Sequence, residues 1–143
     1  MQHLILALTF LFTTGVMAQS TEKEQLKETG NIKVSVVNAL SDNGTIAFAL
    51  YNEEGFLKTP LESKSAIIEN GLSIVEFENI STGNYSIVCF HDENSNGQMD
   101  FELNGMPKEA FGVSNNVMNF GPPQFEDAKF EVSNNNVILE IKF

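Results

Sequence analysis

The run Tyr85-Ser86-Ile87-Val88-Cys89-Phe90 is the most apolar stretch of the chain after its N-terminal segment. It is short, rich in β-branched and aromatic side chains, and preceded by the turn-forming residues Ser-Thr-Gly-Asn at positions 81–84. A run of this length and composition is typical of a strand that is buried on both faces. We therefore predict that residues 85–90 form the central strand of a β-sheet.

Short strands with alternating apolar and polar side chains are predicted on both sides of this run. Residues 32–36 show the pattern most clearly, because isoleucine and valine alternate with Lys33 and Ser35. Asn70-Gly71 predicts a two-residue hairpin, since both residues tolerate positive φ. The predicted strands are 32–37, 45–51, 65–69, 72–77, 85–90, 128–132 and 137–143. About seven such strands predict an all-β chain with a single β-sandwich, immunoglobulin-like or transthyretin-like, and a small barrel is the alternative.

The N-terminal residues have the composition of an export signal. An apolar run covers residues 4–12, no charged side chain precedes Glu22, and Val16-Met17-Ala18 places small residues where a signal peptidase cleaves. We predict a signal peptide over 1–18, a flexible polar leader over 19–30 and the β-sandwich domain over 31–143. The protein would be exported, periplasmic or extracellular, with no transmembrane segment after signal removal, because a span takes roughly 20 apolar residues. A buried N-terminal helix or strand is the alternative.

The net charge of −11 belongs to the chain after residue 18, since residues 1–18 contain no charged side chain. An acidic surface disfavours nucleic acid and anionic lipid, whose phosphates are bound by clustered lysine and arginine. It is compatible with cation binding, although solubility alone also explains it. Cys89 is the only cysteine, which excludes an intrachain disulfide. Its place in the apolar run predicts a buried, unreactive thiol.

Residues 92–100, Asp-Glu-Asn-Ser-Asn-Gly-Gln-Met-Asp, match the first nine positions of a calcium-binding loop. In such a loop, oxygen ligands from alternate residues converge on one ion, and a glycine at the sixth position permits the sharp turn. The predicted ligands are the side chains of Asp92, Asn94 and Asn96, the backbone carbonyl of Gln98, and Asp100 directly or through water.

The match fails at the twelfth position, where an EF-hand has a bidentate glutamate and this chain has Leu103. A completing carboxylate would have to come from Glu102, Glu109 or Asp127. With so few acidic ligands, we expect a dissociation constant for calcium of about 10⁻⁴–10⁻³ M. The alternative is a plain type I′ turn at residues 95–98, in which Asp92 and Asn94 only accept hydrogen bonds from backbone amides. No other cofactor is predicted.

The alternating pattern stops between residues 98 and 127. This stretch holds every proline except Pro60, together with Phe111, Phe120 and Phe125. Long loops in compact domains are commonly functional, and we predict one long ordered loop over one end of the sandwich. The phenylalanines are expected to pack beneath it, and a ligand groove lined by them is the alternative.

His91 is the only histidine after the predicted signal peptide. We expect it to hold a loop by hydrogen bonds at the end of the central strand. The alternatives are a metal ligand or a general base, with Asp92, Asp127 or Glu109 as its partner and Ser114 as nucleophile. No Gly-x-Ser-x-Gly motif is present, and with no catalytic signature we predict that the protein is not an enzyme.

Three ordered motifs resemble a known family. They are His91-Asp92-x-Asn94-x-Asn96-Gly97-x-x-Asp100, Gly105-x-Pro107-x-Glu109-x-x-Gly112-x-Ser114-Asn115 and Gly121-Pro122-Pro123-x-Phe125-x-Asp127-Ala128. Over about residues 32–143 the chain resembles the exported bacterial proteins grouped as domain of unknown function 2141. It departs from the family at Ala110, where a glycine would be expected. The resemblance implies a signal peptide followed by one β-sandwich domain, and it implies no activity.

The sequence therefore predicts a secreted, non-enzymatic binding or adhesion-type module. Its functional surface would be the end that carries residues 92–127, stiffened by one calcium ion, and its partner an unknown protein or envelope component. The alternatives are an accessory structural protein of the envelope that binds no ligand, and a hydrolase that uses His91.

Overall fold

The structure is a computed structural model that describes residues 28–118 and 120–143. The predicted signal peptide and nearly all of the predicted leader lie outside these residues. In the described part, no helix has the length and apolar character needed to cross a membrane. The elements are β1 (Thr29–Val36), β2 (Thr45–Tyr51), β3 (Glu62–Ile67), β4 (Ser73–Ser81), β5 (Gly83–Asp92), β6 (Phe111–Val113), a 3₁₀ turn (Ser114–Asn116), α1 (Phe125–Ala128), β7 (Phe130–Val132) and β8 (Val137–Ile141).

The strands form two sheets, which confirms the predicted β-sandwich. The smaller sheet has the order β4-β1-β8, with β1 antiparallel to β4 and parallel to β8. The larger sheet has the order β3-β2-β5-β6, and β7 pairs with the first residues of β5. β5 is therefore central, as predicted, because β2 covers one of its edges while β6 and β7 share the other.

Alternate side chains of the central strands fill the space between the sheets. In β1 and β2 every second residue is buried, which is the period expected for a strand with one face on the core. Phe48 and Phe77 are the largest of the fully buried side chains in the described residues. Other members of the core are Ile32, Val34, Val36, Ile46, Leu50, Ile87, Cys89, Val132 and Ile141.

The predicted hairpin at Asn70-Gly71 exists, but it joins the two sheets. Asn70 and Gly71 have φ of 53° and 76°, and Glu69 pairs with Leu72 across the turn. Beyond that pair the strands separate, because β3 joins β2 in the larger sheet and β4 joins β1 in the smaller one. The prediction of the turn was therefore right, whereas β3 lies earlier in the chain and β4 runs further than predicted.

The predicted single loop over residues 98–127 is wrong. β6 pairs antiparallel with residues 88–90 of β5 in the middle of that stretch, so the chain turns back along the central strand. Residues 93–110 therefore lie at the Asp92 end of β5, which we call the loop end. Residues 120–124 lead to α1, whose Phe125 makes an edge-to-face contact with Phe56 in the turn that follows β2. The strand predicted at 128–132 shortens to β7, because its first residue ends α1.

Candidate cation-binding loop at the end of the central strand

Asp92 is the last residue of β5 and is only 3% exposed. Its carboxylate accepts hydrogen bonds from the backbone N–H groups of Asn96 and Gly97, at 3.0 and 2.8 Å. A buried carboxylate needs such partners, since an unpaired buried charge is costly. Asp92 thus folds the loop around its own side chain and holds residues 93–97 close to the end of the strand.

Three further predicted ligands, the side chains of Asn94, Asn96 and Asp100, are hydrogen-bonded to one another in the loop that follows Asp92. The Asn94 side-chain amide donates to Asp100 Oδ2 at 2.7 Å, and the Asn96 side-chain amide lies 3.2 and 3.1 Å from the two Asp100 oxygens. Asn94 Oδ1 and Asn96 Oδ1 accept from the backbone amides of Asn96 and Gln98, respectively. The spacing in the sequence therefore brings Asp92, Asn94, Asn96 and Asp100 into one hydrogen-bonded cluster, while the side chain of Gln98 is exposed.

Of the three candidate carboxylates, Glu109 is the one that contacts this cluster. Its Oε2 accepts from the backbone N–H of Asp100 at 3.1 Å, and the hairpin bond from Lys108 N to Asp100 O places it there. Its Oε1 is buried and has no hydrogen-bond partner in the described residues. A buried acceptor without a partner is uncommon and calls for an explanation, such as an ion or water.

The other two candidate carboxylates lie elsewhere. Glu102 is exposed on the hairpin that follows Asp100. Asp127 lies on α1, and its neighbours Phe125 and Glu126 line a shallow pocket together with Asn84 at the far end of β5. Asn84 and Asp92 are eight residues apart in β5, about 27 Å at the rise of an extended strand. Asp127 therefore does not belong to the loop end, which corrects the predicted surface of residues 92–127.

The cluster is not built from acidic side chains alone. Among residues 28–118 and 120–143, no three or more histidine, cysteine, aspartate or glutamate side chains are grouped so that they could hold a metal ion. A cation at the loop end would therefore also need the side-chain oxygens of Asn94 and Asn96 and a backbone carbonyl. This mixture of carboxylate, amide and carbonyl oxygens suits calcium, which accepts six to eight oxygen ligands in flexible geometry.

The alternative type I′ turn is wrong in its geometry. A type I′ turn at residues 95–98 requires positive φ at both Asn96 and Gly97, whereas Ser95 and Gly97 have positive φ and Asn96 does not. No strand pairing continues from this turn. The next bridge, between Phe101 and Pro107, belongs to a separate hairpin. The hydrogen bonds that this alternative predicts for Asp92 and Asn94 are nevertheless present.

His91 holds a loop, as predicted. The ring is 2% exposed, Nε2 lies 2.8 Å from the carbonyl oxygen of Asn43, and the ring stacks on Phe143 with the centroids 6.5 Å apart. Ser114 is not within its reach. The Ser114 hydroxyl accepts from Ile87 N–H, four residues away along β5, and donates to the carbonyl of Ala128. The described residues therefore do not assemble the base and nucleophile of the hydrolase alternative.

Cys89 is fully buried, as predicted, and burial raises the pKa of its thiol. We expect the native protein to resist thiol reagents at pH 8 and to react fully once unfolded. The unfolded thiol ionises near its ordinary pKa of about 8.5. Because the pKa of the Cys89 thiol is higher in the folded protein, the contribution of this thiol to the free energy of unfolding is fully present below the pKa of the unfolded thiol. Above it, the free energy falls by up to about 1.4 kcal/mol per pH unit.

Urea titrations at several pH values check the expected slope, and Cys89→Ala is the control that should remove this part of it. Fast labelling of the native wild-type protein at pH 8 would contradict the assignment.

The phenylalanines of the predicted loop have three different environments. Phe125 is buried and packs on Phe56, as predicted. Phe111 is 39% exposed and lines a groove, which is the predicted alternative, and Phe120 is fully exposed. Sequence reasoning missed the exposed hairpin at residues 101–107. Its signal was available, because large apolar residues flank the turn-forming pair Asn104-Gly105.

Comparisons with known proteins place the chain by family only. No curated protein and no solved structure matches it. The family model described as "Uncharacterized protein conserved in bacteria (DUF2141)" matches residues 34–140, which run from within β1 to within β8 and include the whole candidate loop. The match confirms the resemblance of the three motifs: the chain belongs to the family of domain of unknown function 2141.

Proposed function

We propose that this protein is an exported, non-enzymatic binding module whose loop end is held in one conformation by a calcium ion. The observation that carries the proposal is the buried Glu109 Oε1, which has no hydrogen-bond partner in the described residues and belongs to the side chain that contacts Asp100. A divalent cation beside Asp100 would supply the missing partner and would also neutralise the two carboxylates.

The hydrogen bonds of the cluster support the same proposal. The side-chain N–H groups of Asn94 and Asn96 donate to the Asp100 carboxylate. These donors occupy the positions from which a bound cation would compensate the negative charge of Asp100. An asparagine amide carries its oxygen and nitrogen in nearly the same shape. Rotating both amides by half a turn would present two oxygens to an ion that replaces the N–H donors, and it would give up the hydrogen bonds that the two side-chain oxygens accept from the backbone N–H groups of Asn96 and Gln98.

The expected affinity is weak and suits an exported protein. Both oxygens of Asp92 and one of Glu109 already accept backbone amides, which leaves each of them a limited capacity for the ion. We expect a dissociation constant of about 10⁻⁴–10⁻³ M, the range of extracellular calcium modules. With the ion bound, the loop end would present a fixed surface to a protein or envelope component.

Calorimetric titration of the chain with calcium tests the proposal. We expect Glu109→Gln to weaken binding roughly tenfold or more, because the neutral amide loses the charge next to Asp100. Glu102→Gln is the matched control, since Glu102 is exposed and outside the cluster. Wild-type protein without a calcium-dependent heat, or equal affinities for wild type and Glu109→Gln, would contradict the proposal.

A further inference from the structure

The chain contains four Asn-Gly pairs, which can lose the asparagine side-chain amide without an enzyme. Hydroxide takes the proton of the glycine N–H, the glycine nitrogen attacks the asparagine Cγ carbon, and the side-chain NH₂ group leaves as ammonia with a proton from water. Glycine permits the attack because it has no Cβ to obstruct it. Water then opens the cyclic imide at either carbonyl, which leaves aspartate or isoaspartate. The pairs lie at residues 43–44, 70–71, 96–97 and 104–105.

The glycine nitrogen of three pairs is already engaged in a hydrogen bond. Gly71 N and Gly97 N each donate to a carboxylate, and Gly105 N donates to a backbone carbonyl. The acceptors are Asp42 Oδ1, Asp92 Oδ2 and Glu102 O, at 2.8, 2.8 and 2.9 Å. An acceptor oxygen beside the proton opposes its removal, and the bond must break before the nitrogen can turn toward the side chain. These three glycines are therefore poor nucleophiles in the folded protein.

The asparagine side chain is also held at two of these three pairs. Asn96 Oδ1 accepts from Gln98 N–H at 2.9 Å. Asn104 Oδ1 accepts from Met106 N–H at 3.1 Å. Closure of the imide ring at either residue therefore has to break hydrogen bonds of both reacting groups. At Asn70 the described part of the chain holds only one of the two groups, the glycine nitrogen.

Asn43-Gly44 is the exception. In the described ranges 28–118 and 120–143, no hydrogen bond engages either the Gly44 N–H or the side-chain amide of Asn43. Asn43 is exposed, so hydroxide and water reach it. Both reacting groups are therefore free at this pair and at none of the other three.

The turn at this pair packs closely against the end of the central strand. The Asn43 carbonyl oxygen lies 2.8 Å from Nε2 of the buried His91. A Cβ on Gly44 would lie 2.0 Å from the carbonyl oxygen of Asp92. Isoaspartate directs the main chain through its side-chain CH₂ group, so it lengthens the chain by one carbon and turns the carbonyl that faces His91 into a free carboxylate. The turn has no room for the added carbon.

We propose that Asn43 is a site of spontaneous deamidation, and that isoaspartate at this position releases the turn before β2 from His91 and Asp92. The reaction needs only water and hydroxide. Because the turn lies against Asp92, the modification is a slow, one-way loosening of the loop end. The inference goes beyond the calcium-binding function and does not depend on it, since neither Asn43 nor Gly44 is a predicted ligand.

Peptide mapping of the full folded chain, incubated at mildly alkaline pH in chelator, tests the site. We expect the mass gain of deamidation to appear at Asn43 roughly tenfold or more faster than at Asn70, Asn96 or Asn104, because each of these pairs must first break a hydrogen bond. In concentrated urea all four pairs should react at similar rates, since each asparagine then has the same following residue. A folded chain in which another pair reacts first, or in which Asn43 stays intact while the unfolded chain reacts, would overturn the proposal.

Asp42→Ala tests the reason for the order of reaction. The substitution removes the acceptor of Gly71 N–H, so the rate at Asn70 should rise toward the rate at Asn43. Glu54→Ala is the matched control, because Glu54 is an exposed acidic residue of a different turn, and it should leave the rate at Asn70 unchanged. An unchanged rate at Asn70 in Asp42→Ala would contradict the argument that singles out Asn43.

The structural consequence is measured by melting the aged protein, in which isoaspartate methyltransferase marks the modified residue. Protein with isoaspartate at position 43 should melt about 4 °C or more below fresh protein, because the lengthened turn no longer fits. It should also melt below Asn43→Asp, which has the added charge without the longer chain. Asn43→Gln is the matched control, since glutamine would have to close a larger ring, and ageing should leave its melting temperature unchanged. Equal melting of fresh and isoaspartate-containing protein would refute the loosening.

These measurements are separable from the test of the calcium site, because all of them are made in chelator. Deamidation at Asn43 together with a failed calorimetric titration would remove the calcium proposal and leave this one. Normal calcium binding by a chain whose Asn43 does not react would do the reverse.

Discussion

We expect Gly44→Ala to lower the free energy of unfolding by about 3 kcal/mol, the sum of a strained backbone and a backbone clash. Gly44 has φ of +70°, and a Cβ there would lie 2.0 Å from the carbonyl oxygen of Asp92 and 2.7 Å from Glu93 Cα. Both contacts are with main-chain atoms, so a side-chain rotation cannot relieve them. The turn before β2 would have to move away from the end of β5.

The matched control for this variant is Gly105→Ala. Gly105 has φ of +82°, yet a Cβ there would meet nothing within 4 Å. The control therefore measures the cost of the left-handed backbone alone, about 1 kcal/mol. Urea unfolding of both variants in chelator gives the difference. Equal losses for the two glycines would contradict the close approach of residue 44 to Asp92.

Gly44→Ala should also weaken calcium binding. The displaced turn includes Asn43, whose carbonyl bonds His91, and it lies against Asp92 itself. A shift at that position moves the first predicted ligand of the loop. The same calorimetric titration measures this effect, and Gly105→Ala should leave the affinity unchanged.

The second large effect is expected for Ser114→Ala, at about 2–4 kcal/mol. The Ser114 hydroxyl lies between β6 and β7, where it accepts from Ile87 N–H and donates to the carbonyl of Ala128. It is completely buried, so no water replaces it when it is removed. The substitution removes the partner of a donor on the central strand, Ile87 N–H, and of an acceptor at the end of α1, the carbonyl of Ala128.

Ser86→Ala is the control, and we expect it to raise the free energy of unfolding where Ser114→Ala lowers it. Ser86 is also completely buried on β5, but its hydroxyl has no hydrogen-bond partner in the described residues. Removing an unpaired buried hydroxyl is expected to raise the free energy of unfolding by about 1 kcal/mol. Chemical denaturation of the two variants side by side checks the sign. A loss for Ser86→Ala as large as that for Ser114→Ala would show that Ser114 does not link β5 to the end of α1 as described.

The strands could be predicted wherever apolar and polar side chains alternate over enough residues to show a two-residue period. Residues 45–51 are predicted with the bounds that β2 has, and the apolar run 85–90 lies within the central strand. β6 could not be found, because three residues carry no period and its pairing depends on the chain returning along β5. Asn70-Gly71 defines a local turn, but it contains no information on which sheet each flanking strand joins.

The part of the candidate site that depends on local spacing could be predicted from the sequence, and the part that depends on contacts between distant residues could not. Ligands at alternate positions of one loop converge because of local geometry, so Asp92, Asn94, Asn96 and Asp100 follow from their spacing. The choice of Glu109 over Asp127 does not, because it depends on the hairpin bond between Lys108 and Asp100 and on the position of α1. The exposure of the hairpin at residues 101–107 likewise could not be predicted, because it depends on which parts of the folded chain lie against the hairpin.

The most direct test of the account is a thermal melt of the chain in millimolar calcium and in excess chelator. A ligand at ten times its dissociation constant stabilises a protein by about 1.4 kcal/mol, which raises the melting temperature of a domain of this size by about 5 °C. We predict this rise for the wild type and for Glu102→Gln, and its loss in Asp100→Asn. Superimposable wild-type curves in calcium and in chelator would show that residues 92–100 form only a turn, and the calcium-held loop would be wrong.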